Sequence, residues 1–233
     1  LCGQRARKRF ELVALASAMF YEARMKKLLH IISTPRGDAS RTLKVSGYFL
    51  QELKNKYPAC VVDTLNLFKE TIPPLTLKAV DGKYVLLSGK DLSGSLKEAW
   101  RDIENHITRF LSADAYLIST PMWNFGIPYV LKHYIDIIVQ PKYLFHYTDN
   151  GPEGLAKNKK MVLITSRGGD YSAASPFHAY DYQEPYLRAI FNLVGITDIS
   201  FINAQPMDAL GQDVAEKKIK EAQGLADKIA EKF

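Results

Sequence analysis

Cysteine is almost absent from this chain: Cys2 and Cys60 offer neither a metal-ligand spacing nor a disulfide framework. Cluster ligation usually takes four thiolates, so an iron–sulfur protein is disfavoured. His106, His133 and His178 are not spaced as metal ligands either, and no metal is expected. Long hydrophobic runs are missing too; none approaches the ~20 residues that a membrane-spanning helix needs. There is no Walker loop and no Gly-x-Gly-x-x-Gly fingerprint, which disfavours an NTPase or a dinucleotide held tightly by the first loop. Charge of one sign is also scarcer than it looks. The formal charge is +6, but residues 1–24 carry five bases (Arg5, Arg7, Lys8, Arg9, Arg24) against Glu11 and Glu22. The modest excess left elsewhere is dispersed, so no nucleic-acid partner is implied.

What is present is an ordinary globular composition, 47% apolar and 24% charged over 233 residues. That length suits one α/β domain, or at most two small ones. So few cysteines fit a reducing compartment, and the cytoplasm is the expected setting. Residues 1–24 read unlike the rest: a basic run to Arg9 precedes an apolar stretch, Leu12 to Phe20, containing Ala16-Ser17-Ala18. Three readings stand side by side. The preferred one is a mis-called start or foreign residues, with the true beginning at Met25; the others are an added amphipathic helix and a cleaved signal. The domain is expected to occupy residues 25–233.

From Met25 onward strand-like and helix-like patterns alternate. Strands are expected at Lys27–Ile32, Val61–Leu65, Ala115–Thr120, Met161–Thr165 and Ile199–Ile202. Between them fall helical faces: Leu43, Leu50, Leu53 and Tyr57, then Leu96, Trp100, Ile103, Ile107 and Phe110 behind a capping-box spacing at Ser95 to Glu98. Further helices begin near Pro128, near Pro185 and at Val214. This alternation predicts a five-stranded parallel sheet covered by helices on both faces. In such sheets a ligand sits at the carboxyl ends of the strands, where the winding reverses.

Three loops at that edge hold unusual residues. After the first strand come Ser33-Thr34-Pro35-Arg36 and then Ser40-Arg41-Thr42 at a helix start, where hydroxyls and free N–H groups can bind a phosphate. A plain N-cap at Ser40 is the simpler reading of the same residues. After the third strand, Pro121-Met122-Trp123-Asn124-Phe125-Gly126-Ile127-Pro128 combines a stiff backbone with two aromatics. That suits a planar ligand, although Trp and Phe also fill cores. After the fourth strand, Ser166-Arg167-Gly168-Gly169 lets backbone approach a ligand closely, or is simply a turn.

Those two later loops, together with the intervening Phe145 to Leu155, resemble the FMN-dependent NADH-azoreductases, flavodoxin-like NAD(P)H:quinone reductases. The resemblance runs from about Met25 to Phe233 and is poor around Leu75 to Ser93. It implies a flavodoxin-like fold with strand order 2-1-3-4-5 and a homodimer. It also implies bound FMN, with Thr34 (or Ser33), Ser40, Arg41 and Thr42 on the phosphate. Met122, Trp123, Asn124 and Phe125 would line the ring, while Ser166, Arg167, Gly168 and Gly169 would meet its polar edge. Phe125, His146 and Tyr147 would wall the substrate pocket. Trp123 and His146 depart from the commoner Tyr and Arg of that family, which bears on substrate choice.

The implied reaction is two-electron, ping-pong hydride transfer from NADH or NADPH through flavin N5 to a quinone or azo compound, with no catalytic side chain. His146 is read either as a proton donor or as a solvent-facing hairpin residue, the second being preferred. A non-catalytic flavodoxin-type electron carrier would want a large acidic patch to meet redox partners, and this chain lacks a net negative charge. A ligand- or redox-sensing module without cofactor is the other alternative.

Overall fold

A computed structural model describes residues 25–233 of the chain. The readings of residues 1–24 lie outside the described residues. The elements run β1 (Lys27–Ile32), α1 (Arg41–Lys56), β2 (Val61–Asn66), α2 (Leu77–Leu87), α3 (Gly94–Leu111), β3 (Ala115–Pro121), α4 (Tyr129–Ile138), β4 (Phe145–Thr148), β5 (Gly151–Gly154), β6 (Lys160–Ser166), α5 (Gln183–Leu193), β7 (Asp198–Ala204) and α6 (Gln212–Ala230).

Five strands form one sheet in the order β2-β1-β3-β6-β7, and every pairing in it is parallel. The order 2-1-3-4-5 is met only loosely in chain numbering. Strands β4 and β5 form a separate antiparallel hairpin between the third and fourth strands of the sheet. After β2 the chain returns past β1 to reach β3, so the winding reverses between β1 and β3. That is where a sheet of this kind opens a crevice at its carboxyl edge.

Alternation along the central strands divides the core in two. Leu28, Leu117, Val162 and Ile164 face one way, onto Val45, Phe49 and Leu53 of α1 and Ala222 and Ala226 of α6. Leu29, Ile31, Tyr116, Ile118 and Leu163 face the other way, onto Trp100, Ile103 and Ile107 of α3, Leu131 and Ile135 of α4, and Leu187 and Phe191 of α5. A strand buried on both faces needs an unbroken apolar run, which is why β3 is buried at every position before Pro121.

Some expectations need correction. The buried face of α1 is Thr42, Val45, Ser46, Phe49 and Leu53 rather than a stripe through Leu43 and Leu50, because two hydroxyl residues join the inward face. The capping box does not form: the cap lies two residues earlier, at Ser93, which makes no side-chain bond. Helix α2 has no counterpart in the large-apolar periodicity of the sequence. Its inward residues are Ala79, Gly82 and Leu86, while the larger Leu77 and Tyr84 are exposed.

Candidate active site

The loop after β1 passes through a 3-10 turn at Gly37–Ala39 before α1 begins, and the Ser40 hydroxyl accepts the Leu43 N–H at 3.3 Å. Ser40 is thus the N-cap of α1. The Arg41 and Thr42 N–H groups, the orphan donors of the first turn, have no acceptor among the described residues. Thr34, Ser40 and Thr42 are buried polar side chains. They face the crevice together with Arg36, which forms no ion pair among the described residues. A buried chain of hydroxyls fixes this corner. His30 Nε2 lies 2.8 Å from Ser119 Oγ, Ser119 Oγ lies 2.6 Å from Ser46 Oγ, and Ser46 donates to the Thr42 carbonyl at 3.0 Å. Burial lowers the pKa of His30 from 6.5 to about 4, so its ring is neutral near pH 7.

The loop after β3 is stitched to its neighbour, with the Met122 N–H donating to the Ser166 carbonyl at 2.9 Å. Trp123 and Gly126 then exchange backbone bonds of 3.0 and 2.9 Å. The two residues between them have φ of 47° (Asn124) and 68° (Phe125), a tight turn with both central residues left-handed. Phenylalanine rarely adopts that conformation, and such strain clusters at binding sites. It leaves Trp123 and Phe125 partly exposed, at 37% and 44%. Phe125 stacks on Tyr180 with centroids 5.3 Å apart, and Trp123 meets Phe68 edge-on.

The loop after β6 brings Ser166, Arg167 and Gly168 to the same crevice, and Ser166 Oγ sits 2.7 Å from Thr42 Oγ1. The Gly168 and Gly169 N–H groups have no acceptor among the described residues. A Cβ on Gly168 would stand 3.2 Å from Asp208 Oδ2. The Arg167 side chain is only 1% exposed. It turns to Asp181 at 2.8 Å and to Gln183 Oε1 and Thr165 Oγ1, each at 3.2 Å. Burial lowers its pKa and Asp181 partly offsets this. Among the described residues Nη2 has no hydrogen-bond partner and lies 3.9 Å from Glu184 Oε2. Gln183 in turn donates to the Pro121 carbonyl at 2.8 Å, so the guanidinium ties three loops together from behind.

The crevice therefore gathers Thr34, Ser40, Arg41, Thr42, Met122, Trp123, Ser166, Arg167 and Gly168 of the expected set. Asn124, Phe125 and Gly169 lie beside it, outside its immediate lining. His146 and Tyr147 stand on the β4–β5 hairpin, where His146 lies 3.5 Å from Glu153 and Tyr147 is 65% exposed. Sequence reading missed Met207 and Asp208, which close the crevice from the loop after β7. Asp181 and Gln183 behind it were missed as well. A larger cavity of about 340 Å³ opens at the opposite edge, by Met25, Asp114 and Phe233. That is the amino-terminal end of the strands, away from the switch point.

The flavodoxin-like fold model matches residues 26–229. The chain belongs to that family. Among this flavodoxin-like chain's relatives, an FMN-dependent NADH:quinone oxidoreductase of Nitratidesulfovibrio vulgaris is 35% identical over 209 residues, covering 90% of this chain and 100% of the relative. An azoreductase from Bacillus anthracis superposes with a TM-score of 0.81 at 30% identity, covering 90% of this chain and 100% of that one. An FMN-dependent NADH-azoreductase of the same organism, solved in complex with FMN, gives 0.77 at 29% identity over 88% of this chain and 100% of that one. The family resemblance read from the sequence is thereby shown.

The residues present fit a flavin mononucleotide. Orphan N–H groups and hydroxyls at the start of α1 suit one phosphate. Met122 and Trp123 offer an apolar wall, and two glycines present free N–H groups without a Cβ in the way.

Proposed function

We propose that this chain is an FMN-dependent oxidoreductase that accepts hydride from NADH or NADPH and reduces quinones or azo compounds. The observation that carries the reading is the convergence of three strand-end loops on one crevice holding phosphate donors, a ring wall and glycine N–H groups. Bound FMN would supply a reversible hydride acceptor, which no amino-acid side chain provides.

The protein's part is binding and orientation. Thr34, Ser40, Arg41 and Thr42 hold the phosphate; Ser33 donates instead to the Ser119 carbonyl at 3.3 Å. Met122, Trp123, Asn124 and Phe125 flank the ring. Ser166, Gly168 and Gly169 direct donors at its polar edge, where preorganised dipoles stabilise developing negative charge. Arg167 acts from behind, by holding that loop against β3 and α5. Phe125 and Tyr147 wall the acceptor pocket, with His146 at its rim. The partly exposed aromatics Phe125, Tyr129, Tyr147, Phe177, Tyr180 and Tyr182 support a homodimer in which a second copy covers this face. The catalytic domain is residues 25–233, with the cytoplasm as its setting.

The deciding measurement is the visible spectrum of the purified, FMN-supplemented protein before and after anaerobic NADH or NADPH, followed by addition of a soluble quinone. Flavin absorbance that bleaches and then returns is expected. A protein that retains no FMN would be a binding module, and bound flavin that neither nucleotide reduces would mark an electron carrier.

A further inference from the structure

Arg41 opens the helix whose first turn holds the phosphate donors, yet its guanidinium does not stand free. Nη1 donates to the Met207 carbonyl at 2.8 Å and pairs with the Asp208 carboxylate. Both partners come from the loop after β7, and both line the same crevice as Thr34, Ser40 and Thr42. A carboxylate on the cation of a phosphate cradle presents the same chemistry as the group that the cradle would bind: negative oxygens aimed at a guanidinium. The two compete for one partner.

The mounting of Asp208 suits such an exchange. Its N–H donates to the Gly168 carbonyl at 3.0 Å, and Met207 and Ala209 donate to that same oxygen at 3.2 and 3.1 Å. The backbone is thus clamped to the loop after β6. The side chain, in contrast, is 70% exposed. Rotation about χ1 moves the carboxylate into water with no movement of the loop.

We propose that Asp208 is a specificity-determining residue of the cofactor cradle: its carboxylate holds the Arg41 guanidinium, and a ligand enters by taking its place with a phosphate monoester. The inference rests on reading the start of α1 as the FMN phosphate site. A phosphate monoester carries a charge of about −1.5 to −2 at neutral pH, more than the single charge of a carboxylate. It therefore displaces Asp208 where a phosphodiester, or a flavin without phosphate, does not. The pair sets a threshold of charge that a ligand must exceed.

The test is the affinity of the flavin-free full-length chain for FMN and for riboflavin, read by quenching of flavin fluorescence, with inorganic phosphate as a competitor of FMN. Asp208→Asn removes the competing charge and is expected to tighten FMN by about three- to tenfold. Riboflavin affinity stays within about twofold, and phosphate competes more strongly. Asp208→Ser, which also removes the charge, is expected to act alike. In an Arg41→Met background, Asp208→Asn should change FMN affinity by less than about twofold, since no cation is left to release.

The proposal is overturned if Asp208→Asn and Asp208→Ser leave FMN affinity unchanged or weaken it, or if they tighten it equally without Arg41. Wild-type protein that binds riboflavin as tightly as FMN would instead reject the phosphate site itself. FMN still preferred over riboflavin, with no response to Asp208, rejects only the exchange.

Discussion

Removing Arg167 should expose how much the site depends on a buried charge behind it. Arg167 and Asp181 are 1% and 5% exposed and pair at 2.8 Å. In Arg167→Met the Asp181 carboxylate keeps the Gln183 and Glu184 N–H groups on Oδ1, at 3.0 and 3.1 Å, but Oδ2 loses its cation. Breaking one side of a buried pair costs about 3–5 kcal/mol, chiefly because the remaining charge is left uncompensated. In a domain of this length each kcal/mol moves the melting temperature by about 2–4 °C, so a fall of about 6–20 °C is expected. The sign of a second change makes the reasoning sharp. Asp181→Asn added to Arg167→Met removes the stranded charge and keeps an oxygen for the α5 N–H groups. It should return most of the loss, leaving a deficit of about 1–2 kcal/mol from the hydrogen bonds that Arg167 gave up. Urea unfolding followed by far-UV circular dichroism measures both variants. A double variant no more stable than Arg167→Met refutes the account, and the loop after β6 would then owe its place to packing alone.

Three further perturbations read other parts of the same architecture. Trp123→Ala should weaken FMN retention or acceptor binding by about 1–3 kcal/mol, the worth of a contacting aromatic; unaltered flavin content and turnover would make Trp123 a packing residue. A Cβ at Gly154 would lie 2.1 Å from the Gly195 nitrogen and 2.2 Å from the Val194 carbonyl carbon, so Gly154→Ala should destabilise by about 1–3 kcal/mol as the hairpin is pushed off the end of α5. Gly47→Ala, where a Cβ meets nothing within 4 Å, is the control, and equal melting temperatures for the two would dismiss the close approach. His30 has its folded pKa lowered from 6.5 to about 4. The unfolded chain therefore binds the proton first, and the contribution is complete above about pH 6.5 and lost as pH falls towards 4, amounting to about 3 kcal/mol. His30→Gln should flatten that slope between about pH 6.5 and 5, and an unchanged slope would show that His30 does not titrate there.

What the sequence made legible is what periodicity and loop chemistry can carry. The apolar runs of β1, β3 and β6 have no exposed face, so they could only be interior parallel strands, and the three loops at their carboxyl ends followed from the topology. Helix α2 escaped because its inward face is built on small residues. Gly82 lets the Trp100 indole lie against helix backbone, with Trp100 Nε1 donating to the Ala79 carbonyl at 3.0 Å. A pattern of large apolar residues does not report that kind of contact. The hairpin β4–β5 disturbs the strand count for a related reason. Gly151-Pro152-Glu153-Gly154 has almost no strand propensity and is held by its pairing with Phe145 to Thr148 and by the seat of Gly154 on Gly195.

The parts of the site that stayed hidden are those set by register across long stretches of sequence. Asp208 meets Arg41 across 167 positions, although β3 and β6 separate β1 from β7 in the sheet. The loop after β7 is held on the loop after β6, with the Met207, Asp208 and Ala209 N–H groups on the Gly168 carbonyl, and from there Asp208 reaches the start of α1. Nothing local at Asp208 marks it as part of a cradle. Arg167 shows the reverse case. Its position in a strand-end loop suggested a ligand contact, whereas a side chain that enters the core beside Asp181 and Gln183 serves the site by holding the loop that carries Gly168. The cradle is therefore built in two layers: donors on the α1 and β6 loops that a ligand can touch, and a buried frame of His30, Ser119, Ser46 and Arg167 that sets the distance between those loops. A shift in that frame reaches the ligand without altering any group in contact with it.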